Sequence, residues 1–464
     1  MTELSLLAAA AEEPARDCLV AHGRRWSFEE VAARVRVAMH TLLARGVRSG
    51  DRVALSPNVD VDSIVWLYAL FELGCPAVLL HPRLTERERK VQLSRAKQSH
   101  VIRERVPVGG APSPHVESNR IPSARTLAVV FTSGTRGEPR GARLSRRAFL
   151  ASAGAHASNL GWLPDDRWLL CMPPAHVGGL SIITRSLIAR RAVVLGPGAF
   201  DPSALIGLID EERVSMLSFV PTMLRRMLAS SDPVWIPNEA LRAVLVGGAP
   251  MPQALAQRAA DRSIPVLATY GCTEACSQVA TQRPGQSGSI GSGAPLAGIE
   301  LRVEGEEIQL RGDVLMDGYL AEEPGDENWT PDGWFRSGDF GELLPDGQLL
   351  VRGRLDGLIV TGGENVAPQE VEAWLETVSG ITGACVFARP SEDWGEEVVA
   401  AIVTDPALFR IDDFRARLEA ELAPHKRPKR FCLLDSLPLN RSGKVERRAV
   451  EANAGPKLRA IWPL

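Results

Sequence analysis

Leu127-Ala128-Val129-Val130-Phe131-Thr132-Ser133-Gly134-Thr135-Arg136-Gly137-Glu138-Pro139-Arg140-Gly141 runs from an apolar stretch into a loop rich in hydroxyls and glycine. The apolar half reads as a buried strand, and the loop leaves the sheet at the end where ligands bind in α/β folds. Small residues let backbone N–H groups approach an anion closely. The hydroxyls of Thr132, Ser133 and Thr135 add donors, and the arginines add charge. The segment reads as a polyphosphate cradle. It is not a Walker A loop, because no Gly-Lys-Ser/Thr follows the glycines at the required spacing. Taken alone, the same residues also make an ordinary turn, so the surrounding chain has to decide.

Outward from this loop, strands and helices alternate. A helix is expected over residues 26–48, with Ser27 as cap, Glu30 at the third position and Val31, Val35, Met39, Leu42 and Leu43 as its apolar stripe. Strands follow at 51–56 and 77–80 with a helix at 62–73 between them. Further on come helix 203–213, strand 216–220, helix 222–229, strand 243–246, helix 252–262 and strand 266–269. Such alternation predicts an α/β fold of parallel-rich sheets flanked by helices. After about residue 284 the runs shorten (300–303, 307–310, 341–344, 349–352) and are separated by Gly, Pro and Asp, which suggests a small antiparallel or β-barrel-like unit. From about 353 the pattern is mixed again, with helices at 368–377 and 411–422 and strands at 381–388, 397–403 and 430–434. The expected division is a large N-terminal domain over 1–353, its β-rich part at about 285–353, and a small mobile α+β C-terminal domain over 354–464.

Bulk composition agrees with this reading. A chain of 464 residues is too long for one core, so two or three domains are expected. A net charge of −3 offers no footprint for nucleic acid, and no apolar run is long enough to cross a bilayer. The N-terminus lacks the basic region of a signal peptide and reads as a short helix. Seven scattered cysteines fit a reducing cytoplasm, and Cys272 and Cys276 have no second Cys/His pair nearby to complete a metal site. Residues 83–105, rich in Arg, Lys and Glu, read as a solvated helix and loop. The cluster His425-Lys426-Arg427-Pro428-Lys429-Arg430 reads either as a contact to a phosphorylated ligand or as a solvated turn.

Four further segments carry chemistry. In Leu245-Val246-Gly247-Gly248-Ala249-Pro250 a strand ends in two glycines, so backbone can lie against a flat ring or ribose. In Thr269-Tyr270-Gly271-Cys272-Thr273-Glu274, Tyr270 can stack on a base, Thr273 can donate to a phosphate and Glu274 can bind Mg²⁺. Gly333-Trp334-Phe335-Arg336-Ser337-Gly338-Asp339 offers Asp339 to ribose hydroxyls, and Gly353-Arg354-Leu355-Asp356 adds Arg354 for a second ribose or phosphate contact. Near the C-terminus, Asn440-Arg441-Ser442-Gly443-Lys444 places a mobile ammonium on a polar loop. Singly, each is also an edge, a hairpin or a solvated surface.

Together and in this order, with Gly362-Gly363-Glu364-Asn365-Val366 between the last two, the segments resemble the acyl-adenylate-forming superfamily from about residue 26 to 448. The resemblance implies a two-step reaction. A carboxylate first attacks the α-phosphorus of ATP, giving acyl-AMP and diphosphate, and coenzyme A thiolate then displaces AMP. It implies that Thr132, Ser133, Gly134, Thr135, Gly137 and Arg140 hold the β- and γ-phosphates, that Gly248, Ala249 and Pro250 line the adenine and acyl pockets, and that Tyr270 stacks on adenine, with Gly271 beside it in the nucleotide site. Thr273 would reach the α-phosphate, Glu274 would bind Mg²⁺, Asp339 and Arg354 would hold the ribose, and Lys444 would neutralise charge during adenylation. Asp356 takes the hinge position, about which the small domain rotates to bring Gly362 and Gly363 to a coenzyme A tunnel. Three positions depart from the family pattern. Arg136 and Arg140 stand where threonine and lysine are usual, and Gly357 stands where an acidic residue is common.

Residues 173–188, Pro-Pro-Ala-His-Val-Gly-Gly-Leu-Ser-Ile-Ile-Thr-Arg-Ser-Leu-Ile, resemble the o-succinylbenzoate–CoA ligases of menaquinone biosynthesis, as does Thr273-Glu274-Ala275-Cys276-Ser277-Gln278-Val279. That acid has an aliphatic carboxylate to activate and an aromatic one to hold. Arg185, in an otherwise apolar helix, is expected to pair with the second carboxylate; otherwise it is an arginine snorkelling at a helix edge. His176 reads as a pocket wall and not a base. The alternatives within the superfamily are aryl- or fatty-acyl-CoA synthetases. Outside that reaction class stands an adenylation protein that loads a carrier, against which no thiolation motif follows Arg448.

Overall fold

The computed structural model describes residues 3–107, 121–133, 139–229, 235–320, 328–361, 364–391, 394–440 and 443–461. A nine-stranded sheet forms the backbone of the large N-terminal unit. Its six central strands, Val266–Cys272, Ala243–Val246, Met216–Phe219, Arg167–Leu170, Ala192–Leu195 and Asp17–Ala21, are mutually parallel in that order. Antiparallel strands close both edges: Ser277–Thr281 and Ala294–Pro295 on one side, Arg24–Ser27 on the other. The parallel strands are buried almost throughout, as strands covered on both faces must be.

A second, five-stranded sheet carries the phosphate-cradle segment. Strands His100–Val101, Val53–Leu55, Ala77–Leu79 and Thr126–Ser133 are parallel, and Pro139–Ser145 pairs antiparallel with the last. Much of the expected loop is therefore a hairpin, with Thr132 opposite Arg140 and Ser133 opposite Pro139. Pro139 and Gly141 disguise the return strand as a turn. Proline is tolerated at a strand's first residue, and at Gly141 a Cβ would lie 2.7 Å from Leu320. The tip bearing Gly134, Thr135, Arg136 and Gly137 lies outside the described residues.

Local signals set the helix starts. Helix Phe28–Ala44 begins with a reciprocal capping box, the Glu30 N–H donating to Ser27 Oγ at 3.2 Å and the Ser27 N–H to Glu30 Oε2 at 2.8 Å. The 83–105 stretch contains helix Glu86–Ala96, in which only Gln92 and Ala96 are buried.

The β-rich unit is a four-stranded antiparallel sheet, Ile299–Glu304, Glu307–Gly312, Phe335–Leu343 and Leu349–Arg354 in sequence order. Its third strand starts six residues before the expected 341, so Asp339 lies within a strand and directly opposite Arg354. Beyond a short turn, Leu355–Gly357, the smaller C-terminal unit is built on a six-stranded sheet. In strand Gly395–Thr404, Val398, Ala400 and Ile402 pack on one face with Val371, Leu375, Phe414 and Leu418, while Val399 and Ala401 pack on the other with Val450 and Ala454. This period-two division gives the C-terminal unit a separate core on each face of its sheet. No helix among the described residues is long and apolar enough to cross a membrane.

Candidate adenylation site

One cleft of about 1490 Å³ opens where the parallel strands end. Thr132, Arg140, Gly248, Ala249, Pro250, Tyr270, Gly271, Thr273, Glu274, Asp339, Arg354 and Lys444 all line it. These residues come from four separate sheets or their loops, which is why no local pattern links them.

Two carboxylates are fixed by phenols. Tyr270 Oη donates to Asp339 Oδ2 at 2.7 Å, and Arg354 Nη1 lies 3.3 Å from Asp339 Oδ1 while also donating to the Ser337 carbonyl at 3.0 Å. Burial raises the Asp339 carboxyl above its ordinary value; Arg354 and the Tyr270 hydrogen bond pull it back. Burial, and then the Asp339 charge, raise the Tyr270 phenol well above its usual value, so Tyr270 remains a donor. On the other wall, Tyr319 Oη donates to Glu274 Oε1 at 2.7 Å, and the Arg140 guanidinium lies 3.5 Å over the Tyr319 ring. Arg140 Nη1 also donates to Asn328 Oδ1 at 3.2 Å.

Sequence reasoning does not single out Tyr319 or Asn328, which lie in an irregular stretch without motif or period. One signal is available: the chain has only three tyrosines, and two of them, Tyr270 and Tyr319, are here.

Lys444 arrives from the C-terminal unit. Its loop is closed by the Asn440 N–H donating to the Lys444 carbonyl at 2.7 Å and the Lys444 N–H donating to Asn440 Oδ1 at 3.0 Å. The side chain reaches the Gly248 turn, where φ is +79° and an added Cβ would lie 3.1 Å from Lys444 Cε. Glycine is required there by conformation, and its bareness leaves room for the ammonium. Lys444 is solvent-accessible but surrounded by cleft walls. That desolvation lowers its ammonium below the usual lysine range, with Asp339 opposing.

His176 and Arg185 do not line this cleft. His176 precedes helix Val177–Ala189, its ring 5.0 Å from that of His81. Burial first, then His81 and Lys444, push its imidazole down to about 4, so it is neutral at pH 7. Arg185, two turns along the helix, is only 2% exposed, which removes the snorkelling alternative. It donates to Gln278 Oε1 and, at 2.7 Å, to Ser152 Oγ, while its Nε has no partner. Among the described residues no carboxylate pairs with it. Burial pushes the guanidinium down to about 10, so it stays charged at neutral pH. Asp356 falls in the turn Leu355–Gly357; Gly362 and Gly363 lie outside the described residues.

Parallel-stranded sheets with a small C-terminal unit that brings a lysine to a cleft of this composition define an enzyme that activates a carboxylic acid with a nucleotide. The chain belongs to the AMP-binding enzyme family: residues 6–320 match the family itself and residues 370–444 match its C-terminal domain. It is 34% identical to the 2-succinylbenzoate–CoA ligase of Bacillus pumilus, over 96% of this chain and 97% of that protein. It is 33% identical to the enzyme of the same name from Listeria monocytogenes, over 94% and 96%. Among solved structures it resembles o-succinylbenzoate CoA synthetase from Bacillus subtilis in complex with the acyl-adenylate intermediate, at a TM-score of 0.86 and 30% identity over 97% of this chain and 98% of that one.

Proposed function

We propose that this chain is an AMP-forming acid–thiol ligase that activates 2-succinylbenzoate with ATP and passes the acyl group to coenzyme A. The observation that carries the reading is the meeting of Lys444 with the Gly248 turn, in a cleft that also presents Thr273, Glu274 and Asp339. In adenylation a carboxylate oxygen bonds to the α-phosphorus and the bond to diphosphate breaks. Charge gathers on phosphate oxygens, so cations and N–H donors do most of the catalysis. Lys444 sits between acid and α-phosphate, Thr273 donates to the α-phosphate, and Thr132, Ser133, Gly134, Thr135, Gly137 and Arg140 cradle the departing diphosphate. Asp339, held by Tyr270 and Arg354, accepts from the ribose hydroxyls. Glu274 is the carboxylate suited to magnesium, a hard cation that neutralises phosphate charge when bound. Arg140 keeps the positive charge of the lysine usual in relatives, but stacking on Tyr319 fixes its direction.

For the second step, the C-terminal unit turns about Asp356, withdraws Lys444 and brings Gly362 and Gly363 to the pantetheine passage. The thiolate sulfur bonds to the acyl carbon and the bond to AMP breaks. The partners are small molecules, and the setting is the cytoplasm, where thiols such as the seven unpaired cysteines stay reduced.

The choice of acid rests on Arg185. Burying a guanidinium beside neutral Gln278 and Ser152 is unfavourable unless an anion completes the site. The second carboxylate of 2-succinylbenzoate supplies that anion; Arg185 and the neutral His176 stand behind the cleft lining in this structure, so the acid has to open a path to them. Arg185→Ala is expected to raise KM for the acid about 30-fold or more, from the loss of a charge-assisted contact, and to leave KM for ATP within about twofold. An unchanged KM for the acid assigns Arg185 a structural role. Pyrophosphate release over a panel of aromatic, succinylated and fatty acids tests the assignment as a whole; equal turnover of benzoate or octanoate overturns it.

A further inference from the structure

Helix Pro221–Ala229 follows directly on the central strand Met216–Phe219. Its Met223, Leu224, Met227 and Leu228 are buried in the core of the large unit. Thr222 and Arg225, three residues apart and so neighbours on the helix surface, face the C-terminal unit. Thr222 Oγ1 donates to the carbonyl of Gly443, the residue immediately before Lys444. Arg225 donates to the Thr382 carbonyl at 2.8 Å and pairs with Glu376 Oε1 at 2.7 Å. The pair is well shielded, with side-chain exposures of 27% and 13%. Burial raises the Glu376 carboxyl and Arg225 opposes this, so the carboxylate depends on its partner.

From these contacts we infer that Thr222 and Arg225 are positioning residues for adenylation: a two-point clamp on a rigid helix that seats the Lys444 loop in the cleft. The inference rests on Lys444 acting in adenylation. One point fixes the loop next to the lysine; the other, on a different element of the C-terminal unit, fixes the rotation of the whole unit. Because both contacts cross from the large unit to the small, they must break when the small unit turns. They therefore favour the first half-reaction and contribute nothing to the second.

The test measures the two half-reactions separately in the full-length enzyme: pyrophosphate release from ATP and acid, and single-turnover thioester formation from synthetic acyl-adenylate and coenzyme A. Thr222→Val is expected to slow adenylation about fivefold, the worth of one hydrogen bond, with Thr222→Ser close to the parent. Arg225→Met is expected to slow it about tenfold, since the substitution strands a shielded carboxylate. Thioester formation should be unchanged or faster in both. The reversed pair Arg225→Glu with Glu376→Arg should recover adenylation relative to either single change. Equal losses in both steps, or no loss in either, overturn the clamp. Lys444→Ala in the same assays separates the failures: if it spares adenylation, the role of Lys444 is wrong; if it abolishes adenylation while the clamp variants behave as parent, only the clamp is wrong.

Discussion

Lys444→Ala will lower acyl-adenylate formation by about 10²–10³-fold, the usual effect of removing one preorganised charge-stabilising group, while thioester formation from preformed acyl-adenylate stays within about twofold. The physical reason is position: Lys444 extends into the cleft over Gly248, and its loop is pinned by Asn440 and by Thr222. Only its ammonium is lost, since the backbone bonds that shape the loop survive truncation. Lys444→Arg will recover little, because the Gly248 turn leaves about the space of the existing stem and a planar fork needs more. The pH profile has a sign that follows from desolvation. The ammonium loses its proton at a pH below the ordinary 10.5, so kcat/KM for adenylation falls on the alkaline side through that lowered value. The thioester step has no such limb. Equal loss in both half-reactions, or a shared alkaline limb, would count against the domain-rotation mechanism.

How far the sequence reveals the molecule depends on the range of the forces involved. Parallel strands are legible because burial on both faces leaves continuous apolar runs; for Ala243–Val246 the expected and observed bounds coincide. The Ser27–Glu30 capping box is legible because all its partners lie within one turn. Return strand Pro139–Ser145 is not, because its proline and glycine are turn residues whose tolerance depends on Leu320 and on a strand edge. Motif residues such as Tyr270 and Asp339 can be named from their segments, yet their mutual bond joins positions 69 residues apart and has no local signature. The same holds for Arg185. Its charge stands out in an apolar helix, but its partners Ser152 and Gln278 are 33 and 93 residues away. Thr222 and Arg225 carry no signal whatever, because a helix face that meets a second folding unit looks like one that meets water.

Gly271→Ala will give the largest loss of stability among single substitutions at the site. Gly271 occupies a bulge in the pairing of Val266–Cys272 with Ser277–Thr281, where a Cβ would lie 1.6 Å from the Ser277 carbonyl oxygen and 2.5 Å from its carbon. Both obstacles are backbone, so no side-chain rotation relieves the clash, and the strands themselves must separate. Separation moves Tyr270 away from Asp339 and shifts the turn Thr273–Ala275 that aims Glu274. It also drags Gln278 from Arg185. The cost is about 4 kcal/mol or more, in the range reserved for backbone overpacking and broken buried networks. Gly154→Ala is the matched control. Gly154 lies in helix Arg146–Leu160, is exposed, and has nothing within 4 Å of an added Cβ. Alanine there removes a poor helix former and should stabilise by about 0.5–1 kcal/mol. Thermal inactivation and soluble yield compare the two: Gly271→Ala should lose both activity and yield at temperatures the parent survives, and Gly154→Ala should outlast the parent. A Gly271→Ala protein with parental half-life and adenylation rate would mean that the two strands are not packed as closely as this bulge requires, and with them the placement of Glu274 and Asp339 would fall.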